Sequence, residues 1–171
     1  MDNVALGHKF LLSEFGIRPT VGWLPDSFGH SAANADLYPK MGMSSLFFSR
    51  ISYFDKNIRK ATKNLETIWT PDCGTGKPSD LFTHIFSGHY GSPDGFQFDT
   101  IHPGYWPIYN DTKWDHIINL QNRTLEFVER MREQAEFYQS NHLMVPMGDD
   151  FTYSKAREYY RNIDLLIQNI N

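Results

Sequence analysis

The chain has 171 residues, which at ~150 residues per domain corresponds to one domain or one large piece of a domain. Hydrophobic residues make up 40% and charged residues 21%, and these values exclude an intrinsically disordered chain and a collagen-like repeat. The net charge is −4, no basic run could follow a phosphate backbone, and no apolar stretch approaches the ~18 residues of a membrane helix. We therefore expect no nucleic-acid partner and no membrane-spanning segment in this chain.

Aromatic residues make up 15% of the chain, an excess that permits a carbohydrate site because aromatic rings stack on sugar faces. Core packing is the favoured explanation for most of them. Cys73 is the single cysteine, which excludes an internal disulfide framework and a cysteine-based zinc finger. Glycosylation sequons begin at Asn110 and Asn122 and are compatible with a secretory protein.

The first half of the chain alternates helix and strand patterns. Apolar residues at helical spacing predict two helices, and short apolar runs bounded by Pro, Gly and polar residues predict four strands. In chain order the predictions are helix Val4–Glu14, strand Thr20–Leu24, helix Ser31–Met41 and strands Ser45–Ser49, Thr67–Thr70 and Leu81–Phe86.

The second half begins with a long loop. Ser87–Asn110 is rich in Gly, Pro, Asp, His and aromatic residues without a period, and a loop of that length is usually functional, so we interpret it as a site wall. Asp111 is predicted to cap a long helix that continues to Ala135. A buried strand is predicted at Leu143–Met147. Ser154 is predicted to open a last helix with Tyr160, Ile163, Ile167 and Ile170 on one side.

This alternation predicts an α/β fold in which helices cover a parallel sheet, either open or closed into a barrel. In both architectures the functional edge lies at the C-terminal ends of the strands. No internal repeat or linker indicates a second domain, so residues 1–171 are expected to belong to a single α/β domain.

Carboxylates follow two of the predicted strands. Asp26 comes after Thr20–Leu24, and Asp149 and Asp150 come after Leu143–Met147. Glycoside hydrolysis requires two carboxylates at one site, one as nucleophile or base and one as acid. Helix capping is an equally good explanation for any single Asp in such a position.

Histidine and arginine at the same edge extend the candidate site. His30 follows Asp26 by four residues, and a lone His in this context is more often a hydrogen-bonded structural residue than a metal ligand. Arg50 ends the Ser45–Ser49 strand and could orient a carboxylate or bind hydroxyl groups. The chain contains no H-E-x-x-H metal motif, no G-x-S-x-G elbow and no phosphate-binding loop.

These residues carry a resemblance to the glycoside hydrolase family 38 α-mannosidases. Residues 23–31 read W-L-P-D-S-F-G-H-S, similar to the family's W-x-I-D-P-F-G-H-S segment. Residues 46–53 resemble its F-F-x-R-x-x-Y strand end, residues 80–83 its D-L-F-T strand and residues 147–151 its G-D-D-F segment. Order and spacing agree over nearly the whole chain and are most similar to the lysosomal type.

The resemblance implies a role for each matching residue. Asp26 corresponds to the nucleophile, which is also a zinc ligand, Asp150 to the general acid/base and Asp149 to its partner carboxylate. Among the substrate-binding positions, Phe28 corresponds to a substrate-contacting ring, Arg50 to the arginine beside the nucleophile, and Tyr90 falls near a loop tyrosine. One departure is Ser27, which stands where the family usually has Pro.

The resemblance also implies a larger parent enzyme. The family's H-x-D zinc motif lies on an earlier strand and its last zinc-binding His lies later, so one Zn²⁺ would take its other ligands from outside this chain. The expected fold is a partial, distorted parallel β/α barrel with helices outside. The expected substrate is an α-mannoside oligosaccharide of the N-glycan type, and the expected compartment is the lysosome or another secretory-pathway lumen.

Two alternatives remain open from the sequence. A metal-dependent polysaccharide deacetylase has a similar barrel-like fold, and zinc would activate water on an acetyl group. A non-catalytic carbohydrate-binding module would use the aromatic residues for sugar and the carboxylates for helix capping.

Overall fold

A computed structural model describes residues 2–71, 80–99, 105–113 and 117–171, and these ranges form a mixed α/β structure. The chain divides into a sheet unit, Met1–Asn57 with Leu65–Phe86, and a helical unit, Ile58–Asn64 with Ser87–Asn171. The helices are α1 (Asp2–Phe15), α2 (Ala32–Lys40), α3 (Tyr53–Ala61), α4 (Leu120–Ala135) and α5 (Ala156–Ile170), and the strands are β1 (Val21–Leu24), β2 (Ser45–Phe48), β3 (Glu66–Trp69) and β4 (Leu81–Ile85).

The sheet is four-stranded and open among the described residues, with strand order β1-β2-β4-β3. β1, β2 and β4 are parallel, as the sequence predicts, and Leu24 pairs with Phe48 while Phe48 pairs with Ile85. The prediction of an all-parallel sheet is wrong for β3, which is antiparallel to β4. Residues 70–80 connect these two strands, and a parallel crossover requires a dozen or more residues. The predicted closure into a barrel stays a prediction.

The first two predicted helices and all four predicted strands of the sheet unit are confirmed to within two residues at each end. Ser31 caps α2 and accepts a hydrogen bond from the Ala33 N–H at 3.2 Å. Because β2 and β4 lie inside the sheet, their side chains Leu46, Phe48 and Leu81 are buried. α3 was not predicted, because Tyr53 and Phe54 at its start are exposed and mark no core face.

The helical unit contains a separate core of five buried side chains, Phe96, Phe98, Ile108, Tyr159 and Leu166. The predicted apolar side of the last helix is only partly the side that packs, because Ile163 lies against this core but Ile167 and Ile170 are exposed. Its buried residues are Tyr159, Asn162 and Leu166, spaced three and four apart, whereas Tyr160 is 56% exposed. The Asn162 side chain is buried because its Oδ1 accepts the Ile108 N–H at 2.6 Å, a bond that an apolar-periodicity argument cannot anticipate.

Two further boundaries differ from the predictions. The long helix begins at Leu120, and Asp111 instead accepts the Lys113 N–H at 3.1 Å in a local turn. Trp114 lies outside the described residues. The predicted buried strand Leu143–Met147 is not a strand within the described structure, and Met144 is 40% exposed. Pro146 within it lacks the N–H that a ladder would need. The Ser87–Asn110 segment contains no helix or strand in its described parts, as predicted.

None of the described helices is both long enough and apolar enough to cross a membrane.

Gly22 in β1 has no room for a side chain. A Cβ there would lie 2.9 Å from Leu46 Cδ1 and 3.2 Å from the Ser45 carbonyl oxygen. Gly7, in the exposed helix α1, has no atom within 4 Å of the same position. We expect Gly22→Ala to lower the free energy of unfolding by about 1–3 kcal/mol. Gly7→Ala is the matched control and should raise it by about 0.5–1 kcal/mol. Urea unfolding measures both, and an unchanged midpoint for Gly22→Ala would contradict the packing of β1 on β2.

His84 makes the stability of the sheet unit depend on pH. It is 2% exposed, and its Nδ1 lies 2.9 Å from Glu66 Oε1 in the β3–β4 register. Burial lowers the pKa of His84 below 6.5 and outweighs the opposing hydrogen bond and charge of Glu66. The unfolded chain therefore binds the proton more readily, so stability present above pH 6.5 is lost as the pH falls toward the folded pKa. We expect the urea midpoint to fall less between neutral and acidic pH in His84→Gln than in the wild type, and an equal fall would contradict this assignment.

Candidate active site

The carboxyl ends of β1 and β2 bring three predicted site residues together. Because the two strands are parallel neighbours with Leu24 opposite Phe48, the segments that follow them leave the sheet at the same edge. There the Arg50 Nε donates to Asp26 Oδ1 in an ion pair. The guanidinium carbon of Arg50 also lies 4.8 Å from the centre of the Phe28 ring. Asp26, Phe28 and Arg50 therefore form one cluster, which we call the Asp26 cluster.

The ion pair orients the Asp26 carboxylate. A charge-assisted hydrogen bond from a rigid guanidinium fixes the position of Oδ1. The other oxygen, Oδ2, has no hydrogen-bond partner in the part of the chain that the structure describes, and the side chain is 36% exposed. One oxygen of the carboxylate is therefore bound by Arg50, and the other is directed to no partner among the described residues. Asp26 caps no helix, since Ser31 caps α2.

His30 ties the segment after β1 to the end of β2. Its Nε2 lies 2.8 Å from the Arg50 carbonyl oxygen and 3.2 Å from Ser27 Oγ, and its ring lies 4.2 Å from the Phe48 ring. A carbonyl oxygen can only accept, so Nε2 carries the proton. His30 is thus the hydrogen-bonded structural histidine that the sequence favours.

Lys56 supports the same edge and was missed by the sequence reasoning. It is 9% exposed, and its Nζ donates to the Ser49 carbonyl oxygen at 2.7 Å. This bond caps the end of β2 just before Arg50. No sequence signal indicated it, because α3, which carries Lys56, has exposed apolar residues.

A second cluster lies in the helical unit and contains Tyr90, Asp149 and Asp150. The Tyr90 hydroxyl donates to Asp150 Oδ1 at 3.1 Å, and the Asp150 N–H donates to Asp149 Oδ1 at 2.8 Å. Neither carboxylate caps a helix, since α5 begins after Lys155 without a side-chain cap. The three residues named from the sequence are therefore brought together, and we call them the Asp150 cluster.

The backbone around the Asp150 cluster adopts unfavourable conformations. Gly148 has φ +150°, and the non-glycine residues Phe151 and Tyr153 have φ +58° and +66°. Thr152 steadies the turn, because its Oγ1 accepts the Asp149 N–H at 3.0 Å and donates to the Asp149 carbonyl at 2.9 Å. Left-handed non-glycine residues cost roughly 1–3 kcal/mol each and are concentrated at functional sites.

The described residues fit part of a zinc site and not a whole one. Within the described ranges, no three His, Cys, Asp or Glu side chains come together as a metal-binding group. Catalytic zinc usually has three protein ligands. The Asp26 carboxylate is suited to supply one such ligand, because it is an oxygen donor whose side chain is 36% exposed. Cys73, His102 and His116 lie outside the described residues.

Curated relatives of this chain are α-mannosidases. An alpha-mannosidase of Canavalia ensiformis is 36% identical over 172 residues, an alpha-mannosidase of Arabidopsis thaliana is 41% identical over 173, and the lysosomal alpha-mannosidase of Cavia porcellus is 35% identical over 174. Each alignment covers 100% of this chain and 17% of the relative, so the chain spans about a sixth of the length of these proteins.

The same assignment follows at the level of the domain family. Residues 1–171 match the glycosyl hydrolases family 38 N-terminal domain. The match includes both the Asp26 cluster and the Asp150 cluster. This chain therefore belongs to the glycosyl hydrolase family 38 N-terminal domain family.

Proposed function

We propose that the protein is a retaining α-mannosidase that hydrolyses terminal α-mannosides of N-glycan-type oligosaccharides, and that this chain supplies its nucleophile and its acid/base. The observation that carries the proposal is the Asp26 cluster, in a chain whose full length matches the family. A carboxylate held by one oxygen and open at the other is suited to attack an electrophilic carbon.

In the first step, Oδ2 of Asp26 forms a bond to the anomeric carbon while the glycosidic C–O bond breaks. Asp150 gives its proton to the departing oxygen. In the second step, Asp150 takes a proton from water, the water oxygen bonds to the anomeric carbon, and the Asp26 ester bond breaks. Two displacements return the sugar with its original configuration.

Arg50 and Phe28 support the nucleophile. The guanidinium fixes Oδ1 of Asp26 and remains charged throughout, so it stabilises the carboxylate as it leaves in the second step. The Phe28 side chain is 88% exposed beside this pair, which suits it to cover an apolar face of a sugar ring.

Tyr90 and Asp149 support the acid/base. The Tyr90 hydroxyl holds Asp150 Oδ1, so the proton transferred in the reaction belongs to Oδ2. Asp149 accepts the N–H of Asp150 and thereby fixes the backbone that carries the acid.

A zinc ion would add electrostatic stabilisation to hydroxyl groups of the bound sugar. We propose Asp26 as its one ligand from this chain, with further ligands from other parts of the protein. The lysosome is the proposed compartment, since relatives from Dictyostelium discoideum and Bos taurus are lysosomal alpha-mannosidases.

Asp26→Asn removes both the nucleophile and a charged metal ligand. We expect hydrolysis of an aryl α-mannoside to fall to background and the bound zinc per protein to fall with it. Asp2→Asn, an exposed change in α1, is the matched control and should keep both. Near-normal turnover by Asp26→Asn would remove Asp26 from the mechanism.

The loss of activity in Asp150→Asn should depend on the leaving group of the substrate. A mannosyl oligosaccharide has a poor leaving group that needs the acid, so its turnover should fall by roughly 10²–10⁴. Formation of the glycosyl-enzyme from a dinitrophenyl α-mannoside should fall far less, because that leaving group departs without a proton. Asp164→Asn on the exposed side of α5 is the control. Equal losses for both substrates would transfer the acid role elsewhere, first to Asp149.

The two alternatives predict different products. A polysaccharide deacetylase would release acetate from acetylated glycans and no mannose from mannosides. A binding module would retain sugar without releasing either product. Release of α-mannose as the first-formed anomer, followed by NMR, supports the proposed function, whereas β-mannose would contradict the retaining mechanism.

A further inference from the structure

The segment carrying Tyr90 contacts the segment carrying the acid at three consecutive residues. Tyr90 donates to the Asp150 carboxylate, as described above. Gly91 lies directly against Asp149, and Ser92 is hydrogen-bonded to Gly148. The contacts of Gly91 and Ser92 have no part in the reaction proposed for Asp26 and Asp150.

Ser92 pairs with Gly148 through both its backbone and its side chain. Its N–H donates to the Gly148 carbonyl oxygen at 2.8 Å, and its Oγ accepts the Gly148 N–H at 2.8 Å. The side chain also contacts the hydroxyl of Tyr159. Ser92 is 7% exposed and Tyr159 is 1% exposed, so water replaces none of these bonds easily.

The protons can be placed so that every bond is satisfied. The Tyr159 O–H donates to Ser92 Oγ, and the Ser92 O–H donates to the Gly148 carbonyl oxygen at 3.4 Å. Burial raises the pKa of Tyr159, so its hydroxyl keeps its proton at neutral and acidic pH and can act as this donor.

Tyr159 connects the pair to the rigid part of the unit. Its ring stacks on Tyr153 at 4.3 Å and meets Phe98 edge-on at 5.7 Å. It belongs to the buried core of the helical unit. Tyr159, which is held in that core, therefore fixes the position of Ser92 Oγ, and Ser92 Oγ in turn accepts the Gly148 N–H.

Gly91 allows the close approach of the two segments. A Cβ on Gly91 would lie 2.8 Å from Asp149 Oδ2 and 3.4 Å from its Cγ. Any side chain at position 91 would force the Asp149 carboxylate to move. That movement would disturb the hydrogen bond that the carboxylate accepts from the Asp150 N–H.

We propose that Ser92, anchored by Tyr159, is a positioning residue that fixes the Gly148–Asp150 turn and so aims the Asp150 carboxyl at the leaving group. This inference rests on the proposed function, since it assigns Asp150 the acid role. Ser92 itself touches no reacting atom. Without its hydroxyl, the Gly148 N–H loses its partner at the start of a turn in which Phe151 and Tyr153 have positive φ.

Ser92→Ala and Tyr159→Phe remove the two hydroxyls of the same hydrogen bond and test the proposal in the full-length protein. The matched controls are Ser140→Ala, which is exposed, and Tyr160→Phe, the neighbour of Tyr159 on α5. Two readouts are measured. The first is hydrogen exchange of the peptide covering residues 147–153. The second compares turnover of a mannosyl oligosaccharide with formation of the glycosyl-enzyme from a dinitrophenyl α-mannoside.

We expect exchange in residues 147–153 to rise in both variants while exchange in α4 stays at the wild-type rate. Turnover of the oligosaccharide should fall about tenfold or more, since small misplacements of a catalytic group are costly. Formation of the glycosyl-enzyme from the activated substrate should change less than about twofold, because that step needs no proton from Asp150. The double variant should lose less than the two single losses combined, because the Ser92–Tyr159 hydrogen bond is shared by both changes. The controls should match the wild type.

Unchanged exchange in residues 147–153 would overturn the proposal whatever the activity. Raised exchange with equal loss on both substrates would also overturn it, since Ser92 would then be merely structural. A wild-type protein that hydrolyses no α-mannoside would instead overturn the proposed function. Exchange would then still decide whether Ser92 fixes the turn.

Discussion

The ion pair between Arg50 and Asp26 depends on the parallel pairing of β1 with β2. Only when Leu24 lies opposite Phe48 do the residues two positions beyond each strand meet at the same edge. A slip of one residue would turn the β2 side chains to the other face of the sheet and carry Arg50 away from Asp26. His30 and Lys56 then bind backbone carbonyls at this edge, so their hydrogen bonds depend on the same register.

In the helical unit, the turn that carries Asp149 and Asp150 is held in place without strand pairing in the described structure. The turn after Met147 has no strand ladder to hold it within the described structure, and three of its residues have positive φ. Hydrogen bonds from Ser92, Thr152 and the core tyrosine Tyr159 take the place of a ladder. A rigid support of this kind suits the acid role that we propose for Asp150, because proton transfer requires hydrogen-bond distance to the departing oxygen.

Short apolar strands and their bounding residues could be predicted from the sequence, and so could the residues of both clusters, because they occur in linked motifs. The composition of β3 carries no information about its direction, and the length of the connection to β4, residues 70–80, is the sequence feature that indicates an antiparallel pair. The packing side of α5 could be predicted only in part, because the buried polar residue Asn162 interrupts the apolar period. The Ser92 to Tyr159 contact joins residues far apart in the chain and has no local signal.

The central claim is that Asp26 becomes covalently bonded to the sugar. A mannosyl fluoride carrying a second fluorine on the sugar ring forms the glycosyl-enzyme quickly and releases it slowly, so the adduct can be digested and located by mass spectrometry. If Asp26 is the nucleophile, we expect one sugar per protein, attached to the peptide that contains Asp26. Attachment to any other residue, or turnover of the reagent without an adduct, would contradict it.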